Sequence, residues 1–334
     1  MRQGRLILKV LDGGVYPART PSLSLSSHHG KQHLDQPLPS ETEVGHQTGK
    51  VIFITGGTGG IGKETARVLL TKNATVYIAG RNEAAGKEAV EALTKETGKA
   101  PIFIKLDLAN LKSIRGTVEE FQSKESKLDV LFNSAGVMFP PIASLTPDGY
   151  DLQFGTNVLG HFHLTTLLLP FLLSSASSTS QARIVTVSSM GHQVAYTAPG
   201  ILFDTLRDGP ERIKMGTHKL YGQSKFGNIL FSNELARRYG QQGIVSIALH
   251  PGNIKTDLAR HSGTIQSATT NWMLYPVELG ALTQLYAGTA PEASALGGKY
   301  LLPWARLGKP HPQTNDAELA AKMWRWCEAQ VKGM

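Results

Sequence analysis

The sequence predicts an α/β protein built on a doubly wound parallel sheet, a single domain with helices on both faces. Two observations predict it. From Lys50 to about Gly252, short continuous apolar runs alternate with stretches of helical spacing, the pattern of successive βαβ units. A glycine cluster, "ITGGTGGIG" from Ile54 to Gly62, stands between the first apolar run and the first helical stretch, where a doubly wound sheet puts its anion-binding turn.

The elements follow in order. "KVIFITGG" reads as a strand ending in glycine, "GKETARVLLTKNA" as a helix, "TVYIAGR" as a second strand and "EAAGKEAVEALTKETG" as a second helix. "APIFIKLDL" is a third strand, "LKSIRGTVEEFQSKES" a third helix and "LDVLFNSAG" a fourth strand. A helix from about Gly149 to Ser174, the strand "ARIVTVSS", a helix from about Lys219 to Tyr239 and the strand "IVSIALHPG" complete the series. The strand runs are apolar at consecutive positions rather than alternate ones, which predicts burial on both faces. No internal repeat exists beyond this alternation.

Residues 1–47 read differently. They are rich in Ser, Pro, His and Gly with little periodicity, which predicts a mostly disordered tail ahead of a folded domain over 48–334. Arg2, Arg5 and Lys9 around a short apolar run hint at an organelle-targeting segment, but Asp12, Asp35, Glu41 and Glu43 oppose it. The apolar content of 41 % supplies material for a large core. A net charge of +8 suits an anionic partner, yet no Lys/Arg-rich run is present, so nucleic acid is not expected. Cys327 is the sole cysteine and has no metal-ligand cluster near it. No metal site is expected, and a reducing compartment, the cytoplasm, fits. "LTTLLLPFLL" is too short to span a bilayer and carries Pro170, so no transmembrane segment is expected.

A glycine cluster is either a linker or a cradle. A linker joins aperiodic polar segments; this one joins two strongly patterned elements. Glycine lets a ligand approach the backbone closely, and the helix beginning near Gly60 presents free N–H groups and its positive dipole end to an anion. Gly56, Gly60 and Gly62 give G-x-x-x-G-x-G rather than the common G-x-G-x-x-G, with Thr58 and Ile61 inside the same turn. The reading is a Rossmann-type dinucleotide site. After the second strand, "YIAGRN" offers no carboxylate for a ribose hydroxyl but does offer Arg81, whose guanidinium matches the 2′-phosphate of NADP; the alternative is a solvated surface charge. Asp107, at the end of "IKLDL", can reach an adenine or serve as a turn carboxylate.

"KLYGQSKFG" sets Tyr221 and Lys225 one helical turn apart on one face. A neighbouring ammonium is expected to lower the tyrosine pKa toward a usable acid or base. Ser188 and Ser189 end a strand upstream, on the edge where parallel sheets bind ligands. Asn157 lies within a helical pattern that disfavours asparagine.

In this order, "TGGTGGIG", "NSAG", "TN", "SS", "YGQSK" and "PGNIKT" resemble the short-chain dehydrogenase/reductase family over roughly Lys50 to Pro303. Within it the chain is most similar to retinol-dehydrogenase-like and fungal metabolite-reductase members, on "GTNVLGHFHLTTLLLPFLL", the "AGR" after the second strand and the long Ser189–Tyr221 gap. The resemblance implies an oxidoreductase with a catalytic tetrad of Asn157, Ser189, Tyr221 and Lys225, Ser189 being favoured over Ser188. Tyr221 would protonate the substrate oxygen, Ser189 would hold it, Lys225 would lower the tyrosine pKa and bind the nicotinamide ribose, and Asn157 would hold a relay water. Asn133, Ala135 and Gly136 would line the adenine-ribose side; Ser134 stands where the family usually has a second Asn. Pro251, Gly252, Ile254 and Thr256 would lie beside the nicotinamide and its phosphate. The implied cofactor is NADP(H), the substrate a small carbonyl or alcohol, and homo-oligomers are common in the family.

Substrate loops are expected at Gly191–His218 and Leu258–Pro276. Met138, Phe139, Trp272, Met273 and Tyr275 either line an apolar pocket or pack the core. Two other functions remain open to the sequence: an NADPH-binding regulator without turnover, and a carbon–carbon double-bond reductase.

Overall fold

The computed structural model describes residues 40–176, 180–255 and 274–334. One sheet organises them, with strand order β3-β2-β1-β4-β5-β6-β7-β8. The strands are β1 (Val51–Thr55), β2 (Thr75–Gly80), β3 (Ile102–Lys105), β4 (Val130–Asn133), β5 (Ala182–Val187), β6 (Ile244–Leu249), β7 (Tyr300–Leu302) and β8 (Arg306–Gly308). All neighbours pair in parallel except β7 and β8, which form an antiparallel end. The order reverses between β1 and β4, which pair with Phe53 opposite Leu131. A crevice opens at such a reversal, beyond the carboxyl ends of the strands.

The helices are α1 (Gly60–Thr71), α2 (Glu83–Thr97), α3 (Leu111–Gln122), α4 (Leu152–Ser175), α5 (Gly191–Val194), α6 (Pro210–Met215), α7 (Thr217–Tyr239), α8 (Val277–Thr289) and α9 (Ala317–Val331). They cover both faces. Phe53 of β1 joins a core with Phe121, Phe162, Phe231 and Trp324 from α3, α4, α7 and α9. Its neighbours Ile52 and Ile54 join the opposite core with Leu69, Leu93 and Leu285 from α1, α2 and α8. Both faces of β1 are thus dry, which is why its sequence is apolar without alternation.

The apolar "LTTLLLPFLL" belongs to α4, which is long and apolar enough by composition to cross a membrane, with 61 % of its most apolar window buried inside the protein. Its apolarity serves the core. The helix starts at Leu152 rather than near Gly149, because Asp151 caps it, Oδ1 accepting the N–H groups of Gln153 (3.1 Å) and Phe154 (2.9 Å). Gly155–Gly160 form a π-helical turn within it. Upstream of the sheet, Val44 is buried with the α1–α2–α8 core.

Candidate active site

β1 ends at Thr55, and the chain turns through Gly56 at φ +69° and Gly60 at φ +51°, left-handed values that favour glycine. The turn closes on itself: a Cβ on Gly62 would stand 2.5 Å from the Gly56 carbonyl oxygen. It also lies against β4's exit, where a Cβ on Gly56 would meet the Ala135 Cα at 3.0 Å. Among the described residues no side chain caps α1, and beside Gly59, which precedes it, none lies within 4 Å of the Cβ position. Open space thus faces uncapped first-turn N–H groups, which fits an anionic diphosphate. Thr58 sits over Gly80 at the end of β2, its Cγ2 3.0 Å from a Cβ placed there. Ile61 and Ile254 meet on Gly280 of α8, where a Cβ would lie 3.1 and 2.8 Å from their side chains.

The Thr55 hydroxyl joins the two halves of the crevice. It accepts the N–H groups of Ser134 and Ala135, each at 2.9 Å. It also lies 2.8 Å from His161 Nε2, while His161 Nδ1 is 3.0 Å from the Asn157 carbonyl oxygen. A carbonyl only accepts, so Nδ1 carries the proton and Thr55 donates to Nε2. Burial lowers the His161 pKa to about 4, which keeps this tautomer neutral. The imidazole serves the π-turn, since the His161 backbone N–H goes to Val158 rather than Asn157.

The Asn157 side chain clamps the segment after β4: Oδ1 accepts the Val137 N–H (2.8 Å), and Nδ2 donates to the Val137 carbonyl and to Ser224 Oγ, both at 3.0 Å. A Cβ on Gly136 would lie 3.2 Å from Asn157 Oδ1 and 3.6 Å from Lys225 Nζ, so these two side chains converge beneath that glycine. Asn133 is buried; Nδ2 donates to Thr165 at 3.1 Å, and Oδ1 has no hydrogen-bond partner among the described residues.

Lys225 and Tyr221 project from α7 toward the end of β5. Lys225 Nζ donates to the Val187 carbonyl at 3.0 Å and lies 5.8 Å from the Tyr221 ring centre. Ser189 lies beside Tyr221, a Cβ on Gly191 meeting the tyrosine ring at 3.0 Å and Ser189 Oγ at 3.4 Å, whereas Ser188 donates to the Lys225 carbonyl at 2.7 Å; the second serine is the one on the tyrosine's side. The expected depression of the Tyr221 pKa is corrected here. Burial pushes it up to about 12 against the opposing pull of Ser189, and burial lowers Lys225 to about 8. Desolvation of each group outweighs the attraction of an ammonium at that distance. Tyr221 therefore holds its proton at neutral pH, as a donor must.

Arg81 is exposed, with no hydrogen bond or ion pair among the described residues. Asp107 Oδ1 accepts the Ala109 N–H at 3.0 Å, which is the turn role. Gly252, at φ +96°, packs beneath Pro303, and the strip 253–255 pairs with Tyr275, whose N–H reaches the Asn253 carbonyl at 2.7 Å. Phe139 stands edge-on to Tyr221 with ring centres 5.0 Å apart, on a left-handed backbone (φ 51°) held by Gln153 Oε1 at 3.0 Å from its N–H. Thr256, Trp272, Met273 and most of the loop expected at 258–276 lie outside the described residues.

Several working positions escaped the sequence reading. Gly191 and Gly222 let α5 lie directly on α7: a Cβ on Gly191 would be 3.0 Å from the Tyr221 ring, and one on Gly222 would be 2.8 Å from the Ala195 carbonyl oxygen. His161, His192 and Gln284, which donates to the Ile61 carbonyl at 3.2 Å, were likewise unmarked. Each histidine stands close to an assigned residue, His161 in "NVLGHF" and His192 in "SSMGH", the one signal available for them.

Known proteins resemble the chain in sequence and in fold. The family model described as short chain dehydrogenase matches residues 50–199. A short-chain dehydrogenase/reductase of Armillaria gallica is 52 % identical over 285 residues, 85 % of this chain and 91 % of that protein. An uncharacterised protein of Mycobacterium paratuberculosis has a solved structure with TM-score 0.67 and 32 % identity, covering 89 % of this chain and 98 % of its own. RhlG of Pseudomonas aeruginosa, solved with NADP, shares the fold at TM-score 0.62 and 22 % identity over 77 % of this chain and 95 % of its own.

Proposed function

The chain belongs to the short-chain dehydrogenase/reductase family, and from that premise we propose that it is an NADP-dependent reductase of the carbonyl group of a small lipophilic molecule. The observation that carries this reading is the meeting of the buried Tyr221 and Lys225 with Ser189 at the strand ends, close to the glycine turn. In this reading the catalytic domain is 48–334 and its compartment the cytoplasm.

Gly56, Thr58, Gly60, Ile61 and Gly62 would hold the diphosphate, Asn133, Ala135 and Gly136 the adenine-ribose side, and Pro251, Gly252, Ile254 and Thr256 the nicotinamide end. Bound there, the reduced nicotinamide supplies the hydride. Tyr221 gives its proton to the carbonyl oxygen as that oxygen gains negative charge, and Ser189 donates a hydrogen bond to the same atom. Lys225, as an ammonium, favours the phenolate left behind. Asn157 fixes Val137 and Ser224 around it. Phe139 makes an aromatic wall beside the reacting hydroxyl, which supports a lipophilic substrate.

Two results test this. Titration with NADPH and NADH should give a clear preference for NADPH, and Arg81→Ala should weaken NADPH by about one to two orders of magnitude while sparing NADH, the scale of a lost charged hydrogen bond. Equal affinities in the unchanged protein would reject NADP. For pH, the Lys225 ammonium is present below about 8 and lost above it. The turnover number for reduction should therefore hold steady near neutrality and fall as pH rises through about 8. A rate that climbs across that range would rule out a charged Lys225.

A further inference from the structure

Ser189 is held from more than its own turn. Its carbonyl accepts the His192 backbone N–H at 3.1 Å, and its hydroxyl accepts the Gly191 N–H at 3.1 Å. The His192 side chain adds a longer connection. Nδ1 lies 2.6 Å from the same Ser189 carbonyl oxygen, and Nε2 lies 3.2 Å from the backbone nitrogen of His311, 119 residues further along. These partners allow one tautomer: the carbonyl requires a proton on Nδ1, and the backbone N–H requires a bare Nε2. The residue is 1 % exposed, and its ring stands edge-on to Tyr300 at 5.2 Å between centres. Two more contacts join the same segments. Gln193 donates to the Lys309 carbonyl at 3.1 Å, and the Tyr196 and His311 rings stack with centres 3.8 Å apart.

We infer that His192 is a positioning residue: its imidazole, anchored on the His311 amide, orients Ser189 toward Tyr221. The backbone turn alone leaves the Ser189 carbonyl one partner and lets the peptide rock; the imidazole supplies a second donor whose own direction is set by the far nitrogen. The segment following β8 thereby belongs to the active centre although it contributes no reacting group. The kinetic part of this inference rests on the reductase reading; the His192–His311 bond does not.

The test compares His192→Phe, which keeps a ring and loses both bonds, with His192→Asn, whose amide can replace the Nδ1 donor but cannot reach His311. Turnover number and KM for a carbonyl substrate are measured beside NADPH affinity, thermal midpoint and amide hydrogen exchange at His311. In His192→Phe the turnover number should drop at least tenfold with NADPH affinity unchanged, and His192→Asn, which keeps the donor without its anchor, should recover only part of that loss. Exchange at His311 should accelerate at least tenfold in both. A His192→Phe enzyme with unchanged turnover, or a His192→Asn enzyme as slow as it, would overturn the orienting role; unchanged exchange at His311 would overturn the anchor. If His192→Phe fails to fold, His192→Gln replaces it, expected to be slow in turnover yet protected at His311, and fast turnover there would count against the inference. A wild-type protein that reduces no carbonyl would sink the reductase reading while the exchange result still judged the anchor.

Discussion

Tyr221→Phe should slow carbonyl reduction by about 10²- to 10⁴-fold, the range assigned to a positioned general acid, while NADPH binds as before. The change removes one oxygen from a ring that is 5 % exposed and already wedged between Phe139 and Gly191. Ring packing survives, so the thermal midpoint should move little. Ser189 keeps the Gly191 N–H on its hydroxyl and stays in place. What goes is the proton that burial holds on the Tyr221 hydroxyl, which is pushed up to about 12. Single-turnover reduction followed at the nicotinamide absorbance, with calorimetric titration of NADPH alongside, separates chemistry from binding. Retention of more than a tenth of the rate would move the proton donor to another group.

Gly222→Ala should cost about 10²-fold in kcat/KM without touching any residue that meets substrate. The new methyl would stand 2.7 Å from Ala195 Cβ, 2.8 Å from the Ala195 carbonyl oxygen and 2.9 Å from the Gly191 carbonyl oxygen. Two of these atoms are backbone, so no rotamer change relieves them, and α5 must move off α7. Gly191 and the Ser189 turn travel with it. A displacement near 1 Å at a reacting group is worth about that factor in rate. Helix propensity pulls the other way, alanine being favoured over glycine by about 1 kcal/mol within a helix, so stability should fall far less than activity. Paired measurement of kcat/KM and thermal midpoint decides the matter. Activity within threefold of the parent would mean that α5 does not carry the geometry of Ser189. Ala195→Gly in the same chain removes the Cβ contact but not the two oxygens, and should restore only part of the loss.

The first six strands were legible because a parallel strand buried on both faces is written as a continuous apolar run, as in "VIFIT" and "IVSIAL". The glycine turn was legible because it stands between two patterned elements. β7 and β8 were not: three residues each carry no periodicity. Nor was α8, which is apolar nearly all round and contains Gly280 and Gly288 at close approaches to Ile254 and Phe132. At the candidate site, Tyr221, Lys225 and Ser189 could be marked as candidates by spacing and order. The sign of the tyrosine shift could not, since it depends on how deeply the ring is buried and how far away Nζ ends up. The π-turn around Asn157 was equally hidden. Its cause is a partner on β1, and no local pattern announces that His161 faces Thr55 across 106 residues of chain.

That one hydroxyl carries a consequence for ligand capture. Thr55 ends the strand that leads into the glycine turn, fastens the backbone leaving β4 and holds, through His161, the carbonyl of Asn157. The opposing lips of the crevice are thus riveted at a single oxygen before any dinucleotide arrives. The cofactor half is preorganised: its entropy of ordering was met during folding, and the contacts made on arrival appear as affinity rather than being consumed in assembling the pocket.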